Sequence, residues 1–102
     1  MKIEVVGGDT ISRQVRTYAE YSVFAALTQF GDADRVREAR VVLREATSGE
    51  GDRVVCTVTV ALKDEESIRI RAIGPHACAA INRAVERIRT PATGLLADPM
   101  SP

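Results

Sequence analysis

Residues 38–72 read EARVVLREATSGEGDRVVCTVTVALKDEESIRIRA, and the alternation within this stretch decides the fold. From about Glu38 to Glu45, Ala39, Val41 and Leu43 fall on one side of an extended chain. Arg40, Val42 and Arg44 fall on the other. From Val54 to Leu62 the period of two continues. Val54, Cys56, Val58 and Val60 share one face; Thr57 and Thr59 share the opposite one. A third run, Ser67 to Ala72, places Ile68 and Ile70 inward and Arg69 and Arg71 outward. Thr47–Asp52, rich in Gly and Ser, reads as a hairpin loop, and Lys63-Asp64-Glu65-Glu66 as an acidic turn. The stretch is therefore a meander of three antiparallel strands with one apolar face.

Working outward, Ile3 to Val6 form a short apolar strand closed by Gly7-Gly8-Asp9. Thr10 and Ser12 are both good helix N-caps, with Ser12 immediately before a periodic run. Val15, Tyr18, Ala19, Val23, Ala26, Leu27 and Phe30 recur at three- and four-residue steps and mark the buried face of a long helix, which Gly31 ends. Beyond the meander, Gly74-Pro75 breaks the last strand and opens a second helix, with proline at an early helical position where its missing donor costs little. Ala77, Ile81, Ala84, Val85 and Ile88 form its apolar stripe, and Thr90-Pro91 ends it. Two amphipathic helices and a sheet apolar on one face define a two-layer α+β sandwich, β-α-β-β-β-α. Its four-stranded sheet is mixed, because a strand–helix–strand crossover makes the first two strands parallel, and both helices lie on one face. One domain occupies residues 1–90. Residues 91–102 carry two further prolines and no period, and read as a disordered tail in which Leu95-Leu96 is the sole candidate docking element.

Composition narrows the function. Fourteen basic residues balance fourteen acidic ones, so the distribution of charge matters rather than its sum. Almost all the basic residues are arginine, suited to bidentate contact with phosphate or carboxylate. No run approaches the roughly 18–20 apolar residues that span a bilayer, and the N-terminus lacks the apolar core of a secretory signal. Cys56 and Cys78 are too few for a disulfide framework and read as core fillers in a reducing cytoplasm. His76 is the single histidine, with no carboxylate, cysteine or serine spaced to act with it. Gly7-Gly8 precedes a helix but has neither Walker nor dinucleotide spacing, and the acidic turn has no second segment to complete a metal site. The chain reads as a non-enzyme without metal, cofactor or small-molecule substrate.

The order of elements and two local patterns resemble the ribosome hibernation-promoting factor and ribosome-associated inhibitor family, also called sigma-54 modulation or ribosomal subunit interface proteins. The second helix, His76-Ala77-Cys78-Ala79-Ala80-Ile81-Asn82-Arg83-Ala84-Val85-Glu86-Arg87-Ile88, is similar to the family's acidic cap, Ala-Ala-Ile, Asn or Asp, and Ile-x-Lys-Leu ending. In the first helix, Ser12, Val15-Arg16-Thr17-Tyr18, Val23 and Phe30 fit the family's Thr, Leu-Arg-x-Tyr, Leu and Phe. Arg40-Val41-Val42-Leu43 and Arg71-Ala72 agree with the second and fourth strands. The likeness spans roughly residues 2–90 and is to the short form, without a dimerisation domain. It implies a cytoplasmic stress factor that binds the small ribosomal subunit through ribosomal RNA and inhibits translation by occluding the path of mRNA and tRNA.

On that resemblance the candidate RNA-binding residues are Arg13 and Arg16 on the first helix and Arg83, Arg87 and Arg89 on the second. The plain alternative is that they are solvated surface arginines. Strand parity supplies a second basic cluster, Arg40, Arg44, Arg69 and Arg71, which either binds an anion or keeps an exposed sheet soluble. The chain departs from the family on the first helix, where lysines are replaced by Tyr21, Ser22, Ala25 and Thr28 beside Phe24. His76 replaces the acidic cap. Tyr21 and Phe24 thus form a candidate protein-contact patch, open to a homodimer, unless Phe24 tucks against the core. That patch supports the rival reading: a protein-interaction or homodimerisation module that has lost the basic face.

Overall fold

A computed structural model describes residues 1–8, 11–30, 33–48 and 51–89. Six principal elements follow in order: β1 (Lys2–Gly7), α1 (Arg13–Phe30), β2 (Val36–Ser48), β3 (Gly51–Leu62), β4 (Ser67–Gly74) and α2 (Ala77–Arg89), with a single 3-10 turn at Ala33–Arg35. The sheet order is β1-β2-β3-β4. β1 runs parallel to β2, with Ile3 opposite Ala39 and Val5 opposite Val41. β2–β3 and β3–β4 are antiparallel. The mixed α+β sandwich expected from the alternation is the observed fold. Pro91–Pro102 and the expected helix ends at Thr10, Gly31 and Thr90 lie outside the described residues.

The core follows from the two periodicities. Ala39, Val41 and Leu43 of β2, Cys56, Val58 and Val60 of β3, and Ile70 and Ala72 of β4 are buried in one cluster with Ala19, Val23, Ala26 and Leu27 of α1. That helix packs beside β1, while α2 covers β3 and β4. Ala80, Ile81, Ala84, Val85 and Ile88 of α2 close the other half of the same layer. Leu27, Leu62 and Ile81 are among the largest fully buried side chains, and each such burial stabilises the fold by about 1.5–3 kcal/mol. No polar or charged side chain is buried among the described residues, so the interior carries no unsatisfied polar group.

Local structure differs from the sequence reading at four places. The β2–β3 hairpin is longer than expected: pairing continues to Thr47 opposite Asp52 and Ser48 opposite Gly51, inside the stretch read as a loop. Gly51 holds φ +116°, a conformation that L side chains rarely adopt, so a tight reversal becomes accessible without a long loop. At the second helix, Pro75 precedes the cap rather than occupying the first turn. His76 is the N-cap: its Nδ1 accepts the Ala79 N–H at 3.2 Å and its carbonyl accepts the Ala80 N–H at 3.1 Å. Tyr18, assigned to the buried stripe, is 39% exposed. It sits at the margin where the helices meet, and its hydroxyl donates to Asn82 Oδ1 rather than entering an interior with no acceptor for it. Finally, Cys78 is half-buried at the start of α2, whereas Cys56 alone is a true core filler.

Candidate nucleic-acid interface

The start of α1 is built by Ser12, whose hydroxyl accepts the Val15 N–H at 3.1 Å while its carbonyl accepts the Arg16 N–H at 3.0 Å. This is the N-cap its position implied. Arg13, one residue on, is exposed to solvent. Arg16 is not. Its guanidinium is half-buried and donates to the Gly7 carbonyl at 3.0 Å, with the Gly8 and Ile11 carbonyls at 3.5 Å. Arg16 therefore ties the end of β1 to the start of α1 through backbone carbonyls of Gly7, Gly8 and Ile11. Only a minority of its five donors remain for an outside ligand.

Arg83 and Arg87 lie one turn apart on α2 and both reach the edge of β4. Arg83 Nη1 donates to the Ile73 carbonyl at 2.6 Å, and Arg87 Nη1 donates to the Arg71 carbonyl. Two carbonyls of an edge strand are thereby covered by cations, an arrangement that also discourages pairing with another strand. The same contacts bring the helix arginines beside Arg71. Two clusters that were separate in the sequence are thus one surface in space. Arg89 lies elsewhere, along the groove between the helices with Tyr18, Tyr21, Asn82 and Glu86.

On the open face of the sheet the register sets the spacing of the remaining arginines. Arg40 and Arg69 flank Thr59, Arg71 stands beside Thr57, and Arg44 faces Val55. These side chains line a shallow open trough of about 740 Å³. Arg40 is held by Glu4 at 2.9 Å, across the parallel β1–β2 pair. Among the described residues, Arg44, Arg69 and Arg71 have no carboxylate partner of that kind. The sheet offers no aromatic residue on this face for stacking a base, so what it can recognise is anionic charge rather than base identity.

The face of α1 that carries Tyr21 and Phe24 is wet. Tyr21 is 71% and Phe24 46% exposed, and Phe24 does not tuck into the core. Both border a cleft with Met1, Ile3, Thr17 and Glu20. Thr28 turns its hydroxyl inward to the Phe24 carbonyl at 2.9 Å, which leaves the patch with one polar group fewer.

Chemistry beyond binding finds few tools here. His76 Nδ1 is occupied as a cap acceptor. Burial pushes the Cys56 thiol up to about 11, away from the thiolate that a nucleophile requires. Among the described residues no group of three or more His, Cys, Asp or Glu could hold a metal ion, and no helix is long and apolar enough to cross a membrane.

The geometry defines a small two-layer α+β protein with arginines on one edge and one open sheet face. No family model matches the sequence, and no curated protein matches it. Solved structures do. The chain is similar to the N-terminal domain of Protein Y from Thermus thermophilus, with a TM-score of 0.66 and 25% identity over 92% of this chain and 98% of that one. It shares its fold with a ribosomal subunit interface protein from Coxiella burnetii, with a TM-score of 0.70 and 15% identity over 93% of each chain. These likenesses are consistent with the hibernation-promoting factor family that the helix patterns resemble.

Proposed function

We propose that this chain is a ribosome-associated hibernation factor, acting in the cytoplasm, that binds the small ribosomal subunit and inhibits translation under stress. The mechanism is occlusion. A rigid domain, held by arginine contacts to ribosomal RNA phosphates, occupies space that mRNA and tRNA need. Such contacts are charge-assisted and bidentate, and they weaken steeply with salt. The observation that carries this reading is that Arg44, Arg69 and Arg71 line one open face and have no ion-pair partner among the described residues, on a fold shared with a ribosomal subunit interface protein. The test is co-sedimentation of the purified chain with ribosomes through sucrose gradients, at low and then moderate salt. Migration with small subunits or whole ribosomes that is lost as salt rises supports it; a chain left at the top of the gradient even at low salt contradicts it.

A second reading rests on a different observation, the exposure of Tyr21 and Phe24 on a helix face without a basic residue, beside Glu20. An apolar patch of that kind suits a protein contact, including a homodimer. Phe24→Lys then disrupts self-association in analytical ultracentrifugation and leaves ribosome binding intact. A monomer at every concentration for the unmodified chain removes the homodimer.

A further inference from the structure

We infer that the phosphate-binding surface of this protein is a single basic band wrapped around the β4 edge, made by Arg44, Arg69 and Arg71 of the sheet together with Arg83 and Arg87 of α2. The inference rests on the ribosome reading for its biological partner, and it commits to the sugar–phosphate backbone of an RNA strand as the occupant. Three observations carry it. The first is geometric. The bonds from Arg83 Nη1 to the Ile73 carbonyl and from Arg87 Nη1 to the Arg71 carbonyl fix the helix arginines against the strand that presents Arg69 and Arg71. Each of those bonds uses one of five guanidinium donors, so both side chains are pre-oriented with donors to spare. A ligand that meets them gains contacts without the full cost of ordering a long side chain.

The second is charge. Glu86 is the one carboxylate lining the β4–α2 part of the band, against Arg71, Arg83 and Arg87. On the sheet side, Glu4 is paired with Arg40 at the far end of the row from Arg69, and Glu38 is the one carboxylate lining the trough beside four arginines. The whole chain is neutral, so this edge is basic at the expense of other surfaces such as the Asp64-Glu65-Glu66 turn. The third is spacing. Arg69 and Arg71 are two residues apart on one strand face, about 7 Å. Arg83 and Arg87 are four residues apart on a helix, about 6 Å. Both steps are close to the separation of adjacent phosphates along a strand. Arg13 and Arg16 at the start of α1 are outside the band, and Arg16 is engaged with its own loop.

The band makes a quantitative demand. Five phosphate contacts on single-stranded RNA give a salt slope of about 3.5, which is roughly a 130-fold loss of affinity between about 50 and about 200 mM salt. Removing two contacts lowers the slope to about 2.1 and the loss to roughly 20-fold. The experiment titrates the full chain against a labelled single-stranded uridine oligonucleotide and, separately, against purified small ribosomal subunits, across that salt range. The variants are Arg69→Gln with Arg71→Gln, Arg83→Gln with Arg87→Gln, and Arg37→Gln as an exposed arginine outside the band, with folding followed by circular dichroism. Each band pair is expected to lower the slope as stated while Arg37→Gln leaves it unchanged. The side chains of the sheet pair take no part in the helix-to-edge bonds, to which Arg71 gives only its backbone carbonyl, so this pair decides the matter even where the helix pair perturbs folding. Oligonucleotide binding through the band with no small-subunit binding sustains the inference and removes the ribosome reading. Small-subunit binding that is indifferent to the sheet pair overturns the inference and leaves that reading standing. Binding to neither overturns both.

Discussion

Gly74 is the position where one methyl group should test the packing that presents the basic edge. It is buried at the end of β4, directly under the first turn of α2. A Cβ there would stand 2.6 Å from the Ala80 nitrogen and 2.9 Å from both the Ala79 carbonyl carbon and the Ala79 Cβ. Carbon contacts are comfortable at about 3.5–4.0 Å, so the helix start must retreat by roughly 1 Å or the strand end must peel away. Two of the three obstructing atoms are backbone, and no side-chain rotamer relieves them. Overpacking of this kind costs about 1–3 kcal/mol. Against it stands about 0.4–1 kcal/mol from the reduced freedom of the unfolded chain when glycine becomes alanine. Gly74→Ala therefore destabilises by about 1–2 kcal/mol, which for a domain of this size lowers Tm by roughly 5–15 °C. Gly8, where a Cβ meets nothing within 4 Å, is the control. Gly8→Ala receives the unfolded-state gain without the clash. Urea unfolding followed by circular dichroism measures both. Equal or greater stability of Gly74→Ala, with an unchanged m-value, would refute the close approach of β4 to α2 from which the placement of Arg83 and Arg87 follows.

The Cys56 thiol, raised by burial from 9.0 to about 11, makes stability depend on pH. The unfolded thiol ionises first, so its contribution is whole below about pH 9 and declines toward pH 11, by up to about 1.4 kcal/mol per unit. A Cys56→Ala variant loses that component, read as the difference between the two stability–pH profiles; identical slopes would contradict it. His76→Asp places a stronger acceptor at the N-cap of α2 and raises stability by about 0.5–1 kcal/mol, whereas His76→Ala lowers it, both by urea titration. Leu27→Ala empties a fully buried site of α1 and costs about 2–5 kcal/mol; a smaller loss would mean that the layer collapses onto the gap.

The sheet was the most legible part of the chain because its period of two is nearly uninterrupted in Val54–Leu62, and the same parity placed Arg40, Arg44, Arg69 and Arg71 on the open face before any coordinates. Ser12 as a cap was equally legible, since its chemistry is local. What periodicity cannot supply is register across the parallel β1–β2 pair, and so the Arg40–Glu4 ion pair was invisible. Tyr18 fitted the helical stripe by position, yet its hydroxyl needs an acceptor, and the nearest one is Asn82 at the margin. Pro75 fitted the first turn of α2, but the histidine after it could accept the Ala79 amide and took the cap. The union of Arg83 and Arg87 with Arg71 depends on how closely α2 approaches β4, which is a property of Gly74 and the alanines above it. Nothing in the spacing of the arginines announces it.

The central claim is that this chain holds the small ribosomal subunit where mRNA should pass. The most direct test mixes purified small subunits with a labelled mRNA fragment and titrates in the chain at low salt, following the fluorescence anisotropy of the mRNA and, in parallel, co-sedimentation of the chain. The account predicts release of the mRNA at the chain concentrations that saturate the subunit, with both effects weakened together by Arg69→Glu and Arg71→Glu. An mRNA that stays bound while the chain occupies the subunit would contradict occlusion, and a chain that never co-sediments would contradict the claim entirely.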